Sequence, residues 1–260
     1  MAQQQPYKID NRKIIGTIIA AVVIILIFWT FGRQTSQPVS GFRVELKHLE
    51  SGFDMIKEKD IINLIQKGFD IDSNSTSLGA IDAKAVESRL EQNEFVENAE
   101  VWIDVRRQLN VKITQREPIV RIIDDQGGNY YLDKNGVRMP ASRYYSARVP
   151  IATGNIAPYI FDFQQKTNYG LKNLFDFTKR LLNDDFFSAN LQQIYVTAAG
   201  DFTVIPMIGD QKILFGTLED LDEKLKLVKV FYQEAMPYEG WKKYATINVK
   251  YKGQIICKKR

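Results

Sequence analysis

The sequence predicts an α+β protein: an N-terminal transmembrane helix, a β-α-α-β-β domain, then a strand-rich β domain with two helices. Three observations carry that prediction. Ile14 to Phe31 is an uncharged apolar run close to the N-terminus. Between residues 42 and 116 apolar residues alternate, twice take helical spacing, and alternate again. From residue 117 onward short alternating runs are separated by Gly, Asn and Asp, with two helical stretches among them.

The run Ile14–Phe31 (IIGTIIAAVVIILIFWTF) contains no Asp, Glu, Lys or Arg. A helix over it is about 27 Å long, close to the roughly 30 Å hydrocarbon core of a bilayer. It is apolar on every face, unlike a helix lying on a soluble core. A cleaved signal peptide has an apolar core of about 7 to 15 residues and then a small-x-small site. Here the run is longer and Gly32-Arg33-Gln34-Thr35 follows, so an uncleaved anchor is expected. Lys8, Arg12 and Lys13 precede the run, whereas only Arg33 follows it before Arg43. The positive-inside bias leaves residues 1–13 as a cytoplasmic tail and sends residues 32 onward across the membrane. Residues 32–41 include the polar QTSQPVSG and read as a linker.

Residues 42–116 form the first expected domain. Phe42, Val44 and Leu46 alternate with Arg43, Glu45 and Lys47, as in a half-buried strand. Ile61, Leu64 and Ile65 share one face of a helix over Lys57–Lys67, with Gly68 as its stop. A polar loop over 72–80 leads to Asp82, an N-cap candidate for a helix carrying Val86 and Leu90. Ala99, Val101, Ile103 and Val105 alternate, Arg106-Arg107-Gln108 turns, and Leu109, Val111 and Ile113 alternate again. The result is a three-stranded sheet with both helices on one face.

Residues 117–260 form the second. Ile119–Ile123, Tyr130–Leu132, Phe202–Ile208 and Lys212–Phe215 are strands, broken by Gly127-Gly128, Asp133-Lys134-Asn135-Gly136 and Gly209-Asp210. Leu171, Leu174, Phe175, Thr178 and Leu182 share a face of one helix. Leu221, Leu225, Val228, Tyr232 and Ala235 share a face of the other, with a Thr217/Asp220 capping box at its start and Pro237 limiting its end. Thr246 to Cys257 is expected to be one long closing strand.

Composition excludes several kinds of chemistry. The chain is 45% apolar and 25% charged, and its 35 basic and 31 acidic residues leave a net charge of +4, too balanced for a nucleic-acid binder with a dominant cationic face. One histidine (His48) and one cysteine (Cys257) preclude an internal disulfide and leave a His/Cys zinc site short of ligands. No phosphate-binding loop, dinucleotide fingerprint, nucleophile elbow or metalloprotease motif is present. No catalytic residue, cofactor or metal ligand is assigned. Asp124-Asp125 and Asp184-Asp185 could in principle serve a membrane-anchored cell-wall hydrolase, but both pairs fall at turns or helix ends, where Asp serves local hydrogen bonding. Asn74-Ser75-Thr76 matches a glycosylation sequon that has meaning only in a eukaryotic secretory setting. Lys258-Lys259-Arg260 read as protective charges beside an edge strand.

The order of these parts resembles the bacterial FtsQ/DivIB family. The β-α-α-β-β module is similar to a POTRA domain, and the resemblance is carried by Asn93-Glu94-Phe95-Val96-Glu97-Asn98-Ala99-Glu100-Val101 and by Leu109–Pro118, which ends Arg116-Glu117-Pro118. Tyr131-Leu132-Asp133 with Asn135-Gly136, Val149-Pro150-Ile151 with Gly154, and Ile247–Tyr251 resemble the family's β domain. The resemblance implies a non-enzymatic division scaffold in the inner membrane, with its folded domains in the periplasm at the septum. It implies partners of the FtsB and FtsL type, which are membrane-anchored coiled coils, further division proteins at the POTRA domain, and help in controlling septal peptidoglycan synthesis. The closing strand would accept a partner strand, with contacts at Lys250, Tyr251, Lys252, Gly253, Gln254 and Ile255. Asn248 and Lys250 stand where the family often has Asp and Arg, and Lys lacks the bidentate fork of Arg. Tyr251 shares strand parity with Ile247 and Val249, which leaves open whether it is core or contact. A POTRA-type docking factor for outer-membrane protein assembly is the other binding reading, disfavoured by the anchor.

Overall fold

The computed structural model describes Gly16, residues 19–26, residues 37–72 and residues 75–260. Residues 19–26 are helical and exposed. The rest of the expected 14–31 anchor lies outside the described residues, as do the 1–13 tail, residues 32–36 of the linker and Asn74 of the sequon. Among the described residues no helix is long and apolar enough to cross a membrane.

The folded chain divides into two compact units, and the division does not fall at one point of the sequence. The first holds the residues up to Lys47 with Lys57–Asn93 and Asn98–Thr114; the second holds His48–Ile56, Glu94–Glu97 and Gln115–Arg260.

The first unit follows the expected order: β1 (Gly41–Lys47), α1 (Glu58–Phe69), α2 (Ala83–Glu91), β2 (Val96–Ile103) and β3 (Gln108–Gln115). The sheet runs β1-β3-β2, and β1 is parallel to β3 with Val44 opposite Val111 and Leu46 opposite Ile113. Ile61, Ile65, Val86, Leu90, Ala99, Val101, Leu109, Val111 and Ile113 are buried. Each large aliphatic side chain so removed from water contributes about 1.5–3 kcal/mol. Asp82 caps α2 by accepting the Ala85 N–H at 3.1 Å. Two expectations shift. Gly68 does not stop α1, which runs on to Phe69 and ends at Asp70 in the left-handed region (φ 52°). Val105 is not a strand residue: Asp104 Oδ1 accepts the N–H groups of Arg106 and Gln108, each at 2.9 Å, and turns the chain before the alternation ends. Val105 is left 94% exposed.

The second unit is built on a nine-stranded sheet. Its strands are β4 (Pro118–Asp124), β5 (Asn129–Asp133), β6 (Arg138–Pro140), β7 (Ile151–Gly154), β8 (Leu191–Val196), β9 (Phe202–Pro206), β10 (Lys212–Gly216), β11 (Tyr244–Asn248) and β12 (Ile256–Lys259), in the spatial order β12-β11-β10-β9-β8-β7-β4-β5-β6. The expected helices are α3 (Gly170–Leu182) and α5 (Leu221–Val230), and a short α4 (Asp185–Asn190) lies between them. One core joins sheet and helices through Val120, Ile122, Leu174, Phe175, Phe177, Ile194, Val204, Phe215, Val228 and Ile247. Phe177 meets both Phe202 and Phe215, at ring distances of 5.1 and 5.4 Å. A second cluster packs Leu49 and Met55 against Tyr131 and Met139, so residues the sequence assigns to the first domain help to build the second unit.

Three expectations fail in this unit. No Thr217/Asp220 capping box forms, because Asp220 takes a left-handed conformation (φ 51°) and its side chain accepts no cap bond. Pro237 does not limit the second helix: a π turn over Phe231–Ala235 carries the chain into α6 (Met236–Glu239), and Pro237 lies in the first turn of α6, where its missing N–H is not needed. Thr246–Cys257 is not one strand. Its two ends are β11 and β12, paired antiparallel with Ile247 opposite Cys257, and the residues between them turn the chain back.

Candidate docking site

The turn between β11 and β12 follows from its residue types. Asn248 Oδ1 accepts the Lys250 N–H at 2.9 Å, the local bend to which Asn is suited. Gly253 has φ 66°, a conformation that costs an L side chain roughly 1–2 kcal/mol, and it reverses the chain. Gln254 donates its N–H to the Tyr251 carbonyl at 3.3 Å. Tyr251 therefore leaves the face it would share with Ile247 and Val249. Those two are fully buried, and Tyr251 is 56% exposed.

The six sequence-predicted contact residues thus lie on a turn and its exit, not on an edge strand. Lys250, Tyr251, Lys252 and Gly253 line a pocket of about 230 Å³ together with Asp220 at the start of α5 and Glu223 within it. Lys250 pairs with the Asp201 carboxylate, and its aliphatic stem crosses Gly216 so closely that a Cβ there would lie 2.9 Å from Lys250 Cγ. Gly216 has φ 68°, so both conformation and space require glycine at that position. Lys252 Nζ lies 3.6 Å from Asp220, and Ile255 packs at the margin of the core.

The edge itself is β12, at one end of the nine-stranded sheet. Arg260 donates its N–H to the Lys243 carbonyl at 3.2 Å. Alternation along an antiparallel strand then turns the Lys258 amide toward β11, and those of Cys257 and Lys259 outward. Ile256, Lys258 and Lys259 are exposed, while Cys257 is half-buried and its thiol is pushed up from its ordinary pKa, first by burial and then by the charge of Glu239. Sequence reasoning missed this edge because Ile247–Ile255 reads as continuous β composition. The signal that marks it is Asn248 with Gly253, turn residues inside the run.

The remaining candidates are structural. His48 Nδ1 and Gln115 Nε2 both meet Asp54 Oδ1, at 2.9 and 2.6 Å. Asp124 Oδ1 accepts the N–H groups of Gln126 and Gly128 at 2.9 and 2.7 Å, and Asp184 caps α4 through Phe186 and Phe187. Burial opposes ionisation of Asp184, but Lys229 at 3.2 Å and the two cap N–H groups outweigh it and hold its carboxyl below the usual range. Such a group is a poor general acid. Among the described residues no three His, Cys, Asp or Glu side chains gather to hold a metal ion.

Arg116 and Asp133, from two of the quoted stretches, do meet. Their ion pair spans 2.9 Å with Asp133 only 1% exposed, and the other oxygen of Asp133 accepts the N–H groups of Asn135 and Val137 at 2.9 and 2.8 Å.

Residues 117–258, more than half of the chain, match the family described as FtsQ/DivIB, C-terminal related. The chain belongs to that family. Residues 43–114 match the POTRA-like domain, over the β1-α1-α2-β2-β3 module. The chain is also similar to the cell division protein FtsQ of Geobacter sp. (strain M21), with 27% identity over 186 residues that make up 70% of this chain and 66% of that relative. It thus spans just under two thirds of the length of the curated relative it matches. For an FtsQ/DivIB member, the nine-stranded sheet with its closing hairpin is the β domain that follows POTRA.

Proposed function

We propose that this FtsQ/DivIB chain is a non-enzymatic cell-division scaffold that receives an extended segment of a membrane-anchored coiled-coil partner, of the FtsB or FtsL type, along β12. Residues 14–31 anchor it in the inner membrane, and the exported domains help control septal peptidoglycan synthesis through the partners they hold. The single observation that carries the reading is the position of β12 at the open end of the sheet. An added strand gains affinity from the outward backbone groups of Cys257 and Lys259, and specificity from side chains beside them. The turn residues Lys250–Gly253, with Gln254 and Ile255, flank the entry to that edge. Lys250 contributes through position, since its charge is met by Asp201. Lys258 and Lys259 give the edge a cationic face, so the partner strand carries carboxylates and its binding weakens with salt.

The test compares Lys259→Pro with Lys259→Ala in the full chain, reading partner capture and thermal melting together. Proline removes an outward donor without touching the bonds to β11, and is expected to weaken capture at least tenfold. Alanine keeps the donor and is expected to weaken it only several-fold. A folded Lys259→Pro chain that captures partner as the native chain does overturns strand addition at β12.

A further inference from the structure

The POTRA-like unit has an edge strand of its own, and that edge is occupied. In the order β1-β3-β2, strand β2 has β3 on one side only. On its other side, Glu87 Oε1 accepts the Val101 N–H at 2.8 Å and Glu91 Oε1 accepts the Ala99 N–H at 3.4 Å. The two glutamates are one turn apart on α2, so their carboxylates descend on the strand at the two-residue spacing of its outward amides. Ala99 and Val101 are buried beneath them, while Trp102 is 45% exposed on the same strand. A carboxylate is an acceptor only, and each takes the place that a carbonyl of an added strand would take.

We infer that Glu87 and Glu91 guard β2 against strand addition, the occupant kept out being the β2 edge of a second copy of this chain. A β-rich edge with an exposed Trp102 and free donors would template antiparallel β2–β2 pairing between copies. The guard works through the carboxylate oxygens as acceptors, and a glutamine side chain at either position still offers one in Oε1.

Three variants of the full chain test this, read by amide hydrogen exchange at residues 99 and 101 and by sedimentation over a concentration series. Glu87→Ala/Glu91→Ala is expected to speed exchange at both amides about tenfold or more, the change being larger at 101, and to self-associate beyond the native chain. Glu87→Gln/Glu91→Gln is expected to keep native exchange and native association. Glu87→Ala alone leaves Val86 and Leu90 in the core and repeats both readings at residue 101 should the double variant melt. Native exchange in the alanine variants overturns the cap. Faster exchange without added self-association overturns the guard. A glutamine variant that behaves like the alanine one overturns the acceptor mechanism.

Discussion

Asp133 and Lys250 are charged residues that serve opposite purposes. Asp133 is nearly sealed from water, and Arg116 and two turn N–H groups surround its side chain. It ties the entrance of β4 to the β5–β6 turn, which is why a carboxylate stands there in an otherwise apolar strand. Removing one partner of a buried pair leaves the other charge uncompensated, and that costs about 3–5 kcal/mol. Asp133→Ala is therefore expected to lower the unfolding free energy by that amount, measured by equilibrium unfolding as a lower denaturant midpoint at an unchanged slope. Arg116→Met/Asp133→Leu, which removes both charges, is expected to recover a large part of the loss. Lys250 is held at the surface instead. Its pairing with Asp201 and its stem over Gly216 fix the start of the closing turn, so the docking role proposed for it is geometric.

At the scale of elements, the POTRA-like module was legible almost throughout, because its helices and strands each bury one periodic face. Val86 and Leu90 mark α2, Leu109, Val111 and Ile113 mark β3, and Asp82 caps where capping chemistry expects it. The closing hairpin was not legible by the same means. Alternation registers which face a residue takes, not whether the chain reverses, and Ile247, Val249 and Tyr251 keep parity through the point where the strand ends. Pro237 misled for a related reason: a missing N–H stops a regular helix, yet the π turn before it changes the register and gives Pro237 a first-turn position. The reversal depends on Gly253. Gly253→Ala has open space around its new Cβ, the nearest atom being Glu223 Oε1 at 3.9 Å, so only the left-handed backbone resists it. The expected result is a stability loss of about 1–2 kcal/mol, with amide exchange rising over 254–259 and remaining native in β4–β9.

For the whole molecule, the proposed topology places three basic residues on one side of the membrane and nearly all folded mass on the other. The chain itself provides the probe, because Cys257 is its one cysteine and lies on β12. Its thiol is half-buried and its pKa raised by burial, so little thiolate is present near neutrality and labelling is slow. The rate should keep climbing with pH beyond the range where an ordinary thiol has levelled off. In intact spheroplasts a membrane-impermeant maleimide is expected to modify Cys257 without lysis, because the proposed topology has residues 32 onward facing outward. Labelling only after the membrane is opened would reverse the orientation. Added partner is expected to slow the same reaction at least several-fold by covering the outer edge of β12, while a rate unchanged by saturating partner would move the docking site away from that strand. Orientation and docking are thus read at one atom by different comparisons, lysed against intact and partner against none, so either can fail without obscuring the other.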